Sequence, residues 1–66
     1  MKAEALTNEL LDYLMTPPKT FLYWRIKDTY LIVAIIEEWD KTTITLKTEE
    51  GMVSKEKRVD VKIMVP

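Results

Sequence analysis

The chain has 66 residues, enough for one small domain and little else. It contains no cysteine and no histidine, which excludes disulfides, zinc fingers and most transition-metal sites. A formal net charge of −1 excludes a strong overall pull toward a polyanion, so any nucleic-acid binding must come from local patches.

A domain of this size buries only about 60% of the surface its unfolded chain exposes. Oligomerisation is the remaining remedy, and a hydrophobic content of 47% fits it. The absence of cysteine agrees with a reducing cytosol. The opening "MKAEALTNELL" carries acids throughout, unlike a signal peptide. The longest apolar run, "YLIVAII", is too short to cross a bilayer as a helix. The expectation is a soluble cytoplasmic protein with no membrane partner, no cofactor and no metal.

From residue 3 to 15 the spacing predicts an amphipathic helix. Ala3, Leu6, Leu10 and Leu14 recur at intervals of three and four, with Leu11 and Met15 widening the stripe. Pro17-Pro18 stop it, and Thr16 is biased toward extended backbone by the proline that follows. Residues 21–65 predict five short strands. "FLYWRIK" is followed by a break at Asp28-Thr29, then by "YLIVAIIEEW", apolar on both faces and therefore in need of cover on both. Asp40-Lys41 turns into "TTITLKT", with Ile44 and Leu46 on one face. Glu49-Glu50-Gly51 makes the third turn, with the chain's only glycine. A polar strand "MVSKEKR" and an alternating "VKIMV" complete the set.

Short strands with turns at this spacing predict a mainly β domain: an N-terminal α-helix, then a strongly bent five-stranded antiparallel sheet or partly open barrel. "VKIMV" carries one charge and no internal proline, so it lacks most protections of an exposed edge. The sequence therefore predicts that another chain pairs with it.

Two readings compete for the acids of "EEWDK". General acid/base work needs carboxylates held together in a cleft. In a strand Glu37 and Glu38 point to opposite faces, which makes them a poor pair. Asp40 suits a turn, where its carboxylate accepts backbone N–H groups. The expectation is a chain that is not an enzyme.

A short helix, five bent strands and a turn led by an aromatic-Asp step resemble the Sm-like (LSm) family, its Hfq branch most closely. The likeness is best from Tyr23 to Thr48. There Ile32, Ala34 and Ile36 fall on the second strand's leucine, glycine and isoleucine, and Asp28-Thr29 on an Asn-Gly turn. "EEWDK" matches the Glu-x-aromatic-Asp step, and "TITLK" the strand after it. "LLDYL" looks like the family's helix motif, and "VDVKIMVP" like its last strand.

The resemblance implies a homo-oligomeric ring closed by the fourth strand of one subunit and the fifth of the next. It also implies non-catalytic binding of single-stranded RNA, with DNA as a second polymer, in RNA chaperoning or processing. Asp40 shapes the loop beside the RNA pocket, and Trp39 falls on the core aromatic, with packing and base stacking as its two readings. Thr42 stands where a base-stacking aromatic is usual, and losing such a contact costs about 1–3 kcal/mol. Lys41 neighbours this pocket and is placed to reach a phosphate. Lys57 and Arg58 fall on the tyrosine and lysine of a tyrosine-lysine-histidine motif and Val59 on its histidine, with Lys55 nearby, so charge is kept while the aromatic and imidazole are lost. On the opposite face, Arg25 and Tyr30 are the candidate base contacts, among Thr29, Leu31 and Val33, with Lys27 adding charge. The rival expectation is an SH3-like barrel that binds protein or serves as a structural accessory module.

Overall fold

Lys2–Ala5 forms a strand, β1, where the sequence predicts the first turn of a helix. The computed structural model describes residues 1–66. Helix α1 begins only at Asn8 and runs to Met15, with Thr7 as its N-cap. The Thr7 hydroxyl accepts the Leu10 N–H at 3.2 Å, a bond that halts the helix at this threonine. Upstream of it the chain pairs with the edge of the last strand, residues 61–65, in place of a further helical turn. All four β1 residues are exposed, so β1 is held by backbone bonds rather than by burial. At the other end Thr16 is extended, and its N–H bonds to the Tyr13 carbonyl. The Pro17-Pro18 peptide is cis.

Five strands follow: β2 (Leu22–Ile26), β3 (Tyr30–Trp39), β4 (Thr43–Thr48), β5 (Val53–Lys57) and β6 (Val61–Val65). A single 3-10 turn, Arg58–Asp60, joins the last two. The fold is thus mainly β with one helix, and its sheet has six strands where the sequence predicts five. The order is β1-β6-β2-β3-β4-β5, every neighbouring pair antiparallel.

That order requires curvature. β5 and β6 lie four strand spacings apart, which in a flat sheet is about 19 Å. The link from Lys57 to Val61 reaches about 14 Å at full extension. The sheet must therefore roll. A bulge between Ile36 and Glu38 on the long strand β3 supplies one bend, with Glu37 as the extra residue.

The inner face carries the core: Trp24 and Ile26, Ala34 and Ile36, Ile44 and Leu46, Val61 and Ile63, closed by Leu11 of the helix. The helix lies against β3. Leu6, Leu10, Leu14 and Met15 pack around the core's margin, so the predicted stripe is used although the helix is shorter. Trp24, fully buried, is the central aromatic, and its indole N–H donates to the Ala34 carbonyl at 2.9 Å. Trp39 is only half-buried and packs at the core's edge. The outer side of β3 does not find the cover its sequence demands, because Leu31 and Val33 remain exposed.

The turns differ in detail. The β2–β3 turn centres on Lys27 and Asp28, one residue earlier than predicted, with φ of 52° and 56°. Two successive left-handed residues are the type I′ geometry, which matches strand twist, and the Thr29 N–H closes it on the Ile26 carbonyl at 3.0 Å. Gly51, at φ 89°, serves the β4–β5 turn as its composition suggests.

The strand "VKIMV" is corrected most. As β6 it has neighbours on both sides within its own chain, β2 and β1. The sticky edge that called for a second subunit is covered by Lys2–Ala5. No helix is long and apolar enough to cross a membrane.

Candidate nucleic-acid interface

The β3–β4 turn is built by Asp40. Its Oδ1 accepts the backbone N–H of Thr42 at 2.9 Å and of Thr43 at 2.8 Å. Those bonds, Thr42 first, hold the Asp40 carboxyl at about 2, below its ordinary 3.8. A carboxylate so held stays ionised, which suits a turn. Glu37, at the bulge, is half-buried, and Glu38 is exposed and opposite Thr45.

The 3-10 turn docks onto this loop. The Arg58 N–H donates to the Thr42 carbonyl at 2.9 Å. Its guanidinium Nη1 donates to the carbonyls of Asp40 at 3.0 Å and Lys41 at 3.4 Å. The same guanidinium lies over the Trp39 ring, 5.4 Å from its centre. Trp39 thus packs between the core's edge and the Arg58 guanidinium. Arg58 is a clamp across two segments, with its remaining N–H groups available for a ligand.

These contacts bring Lys41, Thr42, Thr43, Lys57, Arg58 and Val59 around one cleft of about 380 Å³. A second hollow adjoins it through Lys41, Arg58 and Val59, and adds Lys62. Lys41, Lys57 and Arg58 thus meet at one cleft in a molecule of net charge −1, while the Lys62 ammonium turns to Asp28. Lys41, Thr42, Lys57 and Arg58 were expected from sequence, and the structure brings them together. Thr43 and Lys62 were missed. Thr43 falls on the outward parity of β4, opposite to Ile44 and Leu46, and carries no charge to single it out, and Lys62 reaches the group only because β6 begins where the 3-10 turn ends.

The second expected face does not assemble as read. Arg25 pairs with Leu31 across the β2–β3 hairpin, whereas Tyr30 pairs with Ile26. Successive strand residues alternate faces, so Tyr30 lies on the side of the core residue Ile26, at its open margin, and Arg25 lies on the outer side. The aromatic on Arg25's side is Tyr23, exposed and opposite Val33. The signal that would have found it is parity with Arg25, two residues on. Lys62 adjoins Arg25 on the same side and forms a 3.7 Å ion pair with Asp28.

Fold and site together define a small, mainly β domain with one helix, a curled six-stranded sheet and a basic cleft at one corner. Comparison with protein-family models, curated proteins and solved structures finds no match to this chain.

Proposed function

We propose that this chain binds single-stranded RNA without catalysis, at the cleft between the β3–β4 turn and the 3-10 turn. One observation carries the reading. Segments 16 residues apart, at Lys41 and Lys57, are clamped so that Lys41, Lys57 and Arg58 line one concavity together with Thr42 and Thr43. Lysines suit phosphate as point charges, and Arg58 adds a planar donor set already oriented by Trp39. Threonine at position 42 offers a hydroxyl and no stacking ring, so the cleft favours backbone over base recognition. Single-stranded DNA offers the same phosphates and is the second polymer it would take.

A helix followed by five successive strands in a curled sheet supports an Sm-like architecture, with β1 as an addition to it. A second reading, protein binding by an SH3-like module, is favoured by the exposed apolar side chains of Tyr23, Leu31 and Val33 on the outer face.

Fluorescence titration with A-rich and U-rich single strands at two salt concentrations separates the two. The RNA reading expects affinity that falls with salt. It also expects Lys41→Ala with Lys57→Ala to weaken binding at least tenfold and to flatten the salt slope by about 1.4, two phosphates at roughly 0.7 each. The absence of binding to either strand at low salt defeats it.

A further inference from the structure

β1 and β5 each have a single partner strand, so the sheet ends in two free edges. Backbone polarity along them follows from the alternation of an antiparallel ladder. The Arg58 N–H bonds to the Thr42 carbonyl in continuation of the β4–β5 register. Ser54 and Glu56 therefore also bond inward to β4, and Val53, Lys55 and Lys57 turn their N–H and C=O groups outward. On the other side, the Lys27 N–H bonds to the Asp60 carbonyl in continuation of the β2–β6 register. Lys62 and Met64 then bond to β2, while Ile63 and Val65 bond to Glu4 and Lys2 of β1. Ala3 and Ala5 are left with outward backbone groups.

We propose that the free edge of β1 pairs antiparallel with the free edge of β5 in a second copy of this chain, Ala3 opposite Lys55 and Ala5 opposite Val53. Outward backbone groups then meet outward groups on both strands. The same register sets Lys2 opposite Glu56 and Glu4 opposite Ser54. It also keeps faces together: Glu4 lies beside Ile63 and Glu56 beside Ile44, both core residues, so the inner side of one sheet continues into the inner side of the next.

Backbone parity allows only shifts of two residues, and both are worse. Moving Ala5 to Lys55 sets Glu4 against Glu56 and Lys2 against Arg58, two like-charge pairs. Moving Ala5 to Gly51 removes it from the strand. Pairing β1 with β1 about Ala3 also places Lys2 across from Glu4, but it joins fewer residues and leaves β5 bare. The β1–β5 pairing is head-to-tail, so each added copy covers one edge and presents another, and growth continues past a dimer. It uses an edge other than the β6 edge implied by the Sm-like resemblance, and it stands whether or not the cleft takes nucleic acid.

The test is the solution mass of the full chain from micromolar to millimolar, by sedimentation equilibrium without nucleic acid. The expected result is a mass that rises beyond the dimer. Lys2→Glu and Glu56→Lys each weaken association roughly tenfold, and the double variant regains it. Lys55→Pro removes an outward N–H, which an edge strand tolerates, and abolishes association while the chain still melts cooperatively. A monomer mass at every concentration overturns the proposal, as does a mass that stops at the dimer. So does a pattern in which Lys2→Glu acts and Glu56→Lys does not, since that marks β1–β1 pairing. The charge exchange keeps the test decisive should the proline variant unfold.

Discussion

Asp40 accepts two backbone N–H groups through one oxygen, so the shape of the β3–β4 turn depends on its charge. Its folded pKa lies below the unfolded value, at about 2 against 3.8. The stabilisation is therefore fully present above about pH 4 and is lost as pH falls toward 2. Asp40→Asn keeps an acceptor but loses the charge. Its melting temperature is expected to fall below that of the parent at pH 7, with the gap closing as both are titrated to pH 2. A gap independent of pH would show that the charge is not what the turn uses. Arg58 is bound to this same loop, so Arg58→Ala is expected to lower both affinity and melting temperature, whereas Lys57→Ala lowers affinity alone. Thermal melts run beside the titrations read the difference.

At the level of elements, two local signals can be tested separately from the core. The Thr7 hydroxyl caps α1, and Thr7→Ala is expected to cost about 1 kcal/mol in urea denaturation. The β2–β3 turn places Lys27 and Asp28 in left-handed backbone, which aspartate tolerates better than lysine and glycine better than either. For a residue such as Lys27 the cost is roughly 1–2 kcal/mol relative to glycine. Replacing them with Asn-Gly is expected to stabilise the domain by about 1 kcal/mol, since the exposed Asp28–Lys62 pair lost with Asp28 is worth little. An unchanged urea midpoint would show that the turn relaxes the strain itself.

For the whole molecule, stability rests on a core of nine side chains, eight from the sheet and one from the helix. Leu11 is fully buried and is the helix's only wholly enclosed residue. Leu11→Ala is expected to cost about 2–5 kcal/mol. A chain of this length holds roughly 3–10 kcal/mol in total, so the variant should be largely unfolded at 37 °C by circular dichroism. Retention of most of the folded signal would mean that the sheet holds together without its helix. The curled sheet also decides where the cations meet. Lys41 and Lys57 come together because β4 and β5 form a hairpin, and Lys62 joins them because a three-residue turn carries the chain across the roll to β6.

What the sequence determined by itself is the periodic part. The two-residue alternation of Ile44 with Leu46 and of Val61 with Ile63, and the leucine stripe of residues 6–15, report which face each element buries, because burial follows pleat and helix pitch. It also determined the Asp40 turn, a bond between near neighbours. What only the tertiary structure decided is pairing. Lys2–Ala5 carries no strand signal of its own and becomes a strand because β6 has an open edge within reach. That one pairing removes the edge on which an intermolecular reading of "VKIMV" rested, and moves the exposed backbone to β1. The parity of Arg25 with Tyr23 rather than with Tyr30 likewise depends on hairpin register. Hydrogen-bond partners distant in sequence leave no periodic trace along the chain, so only the folded sheet could show them.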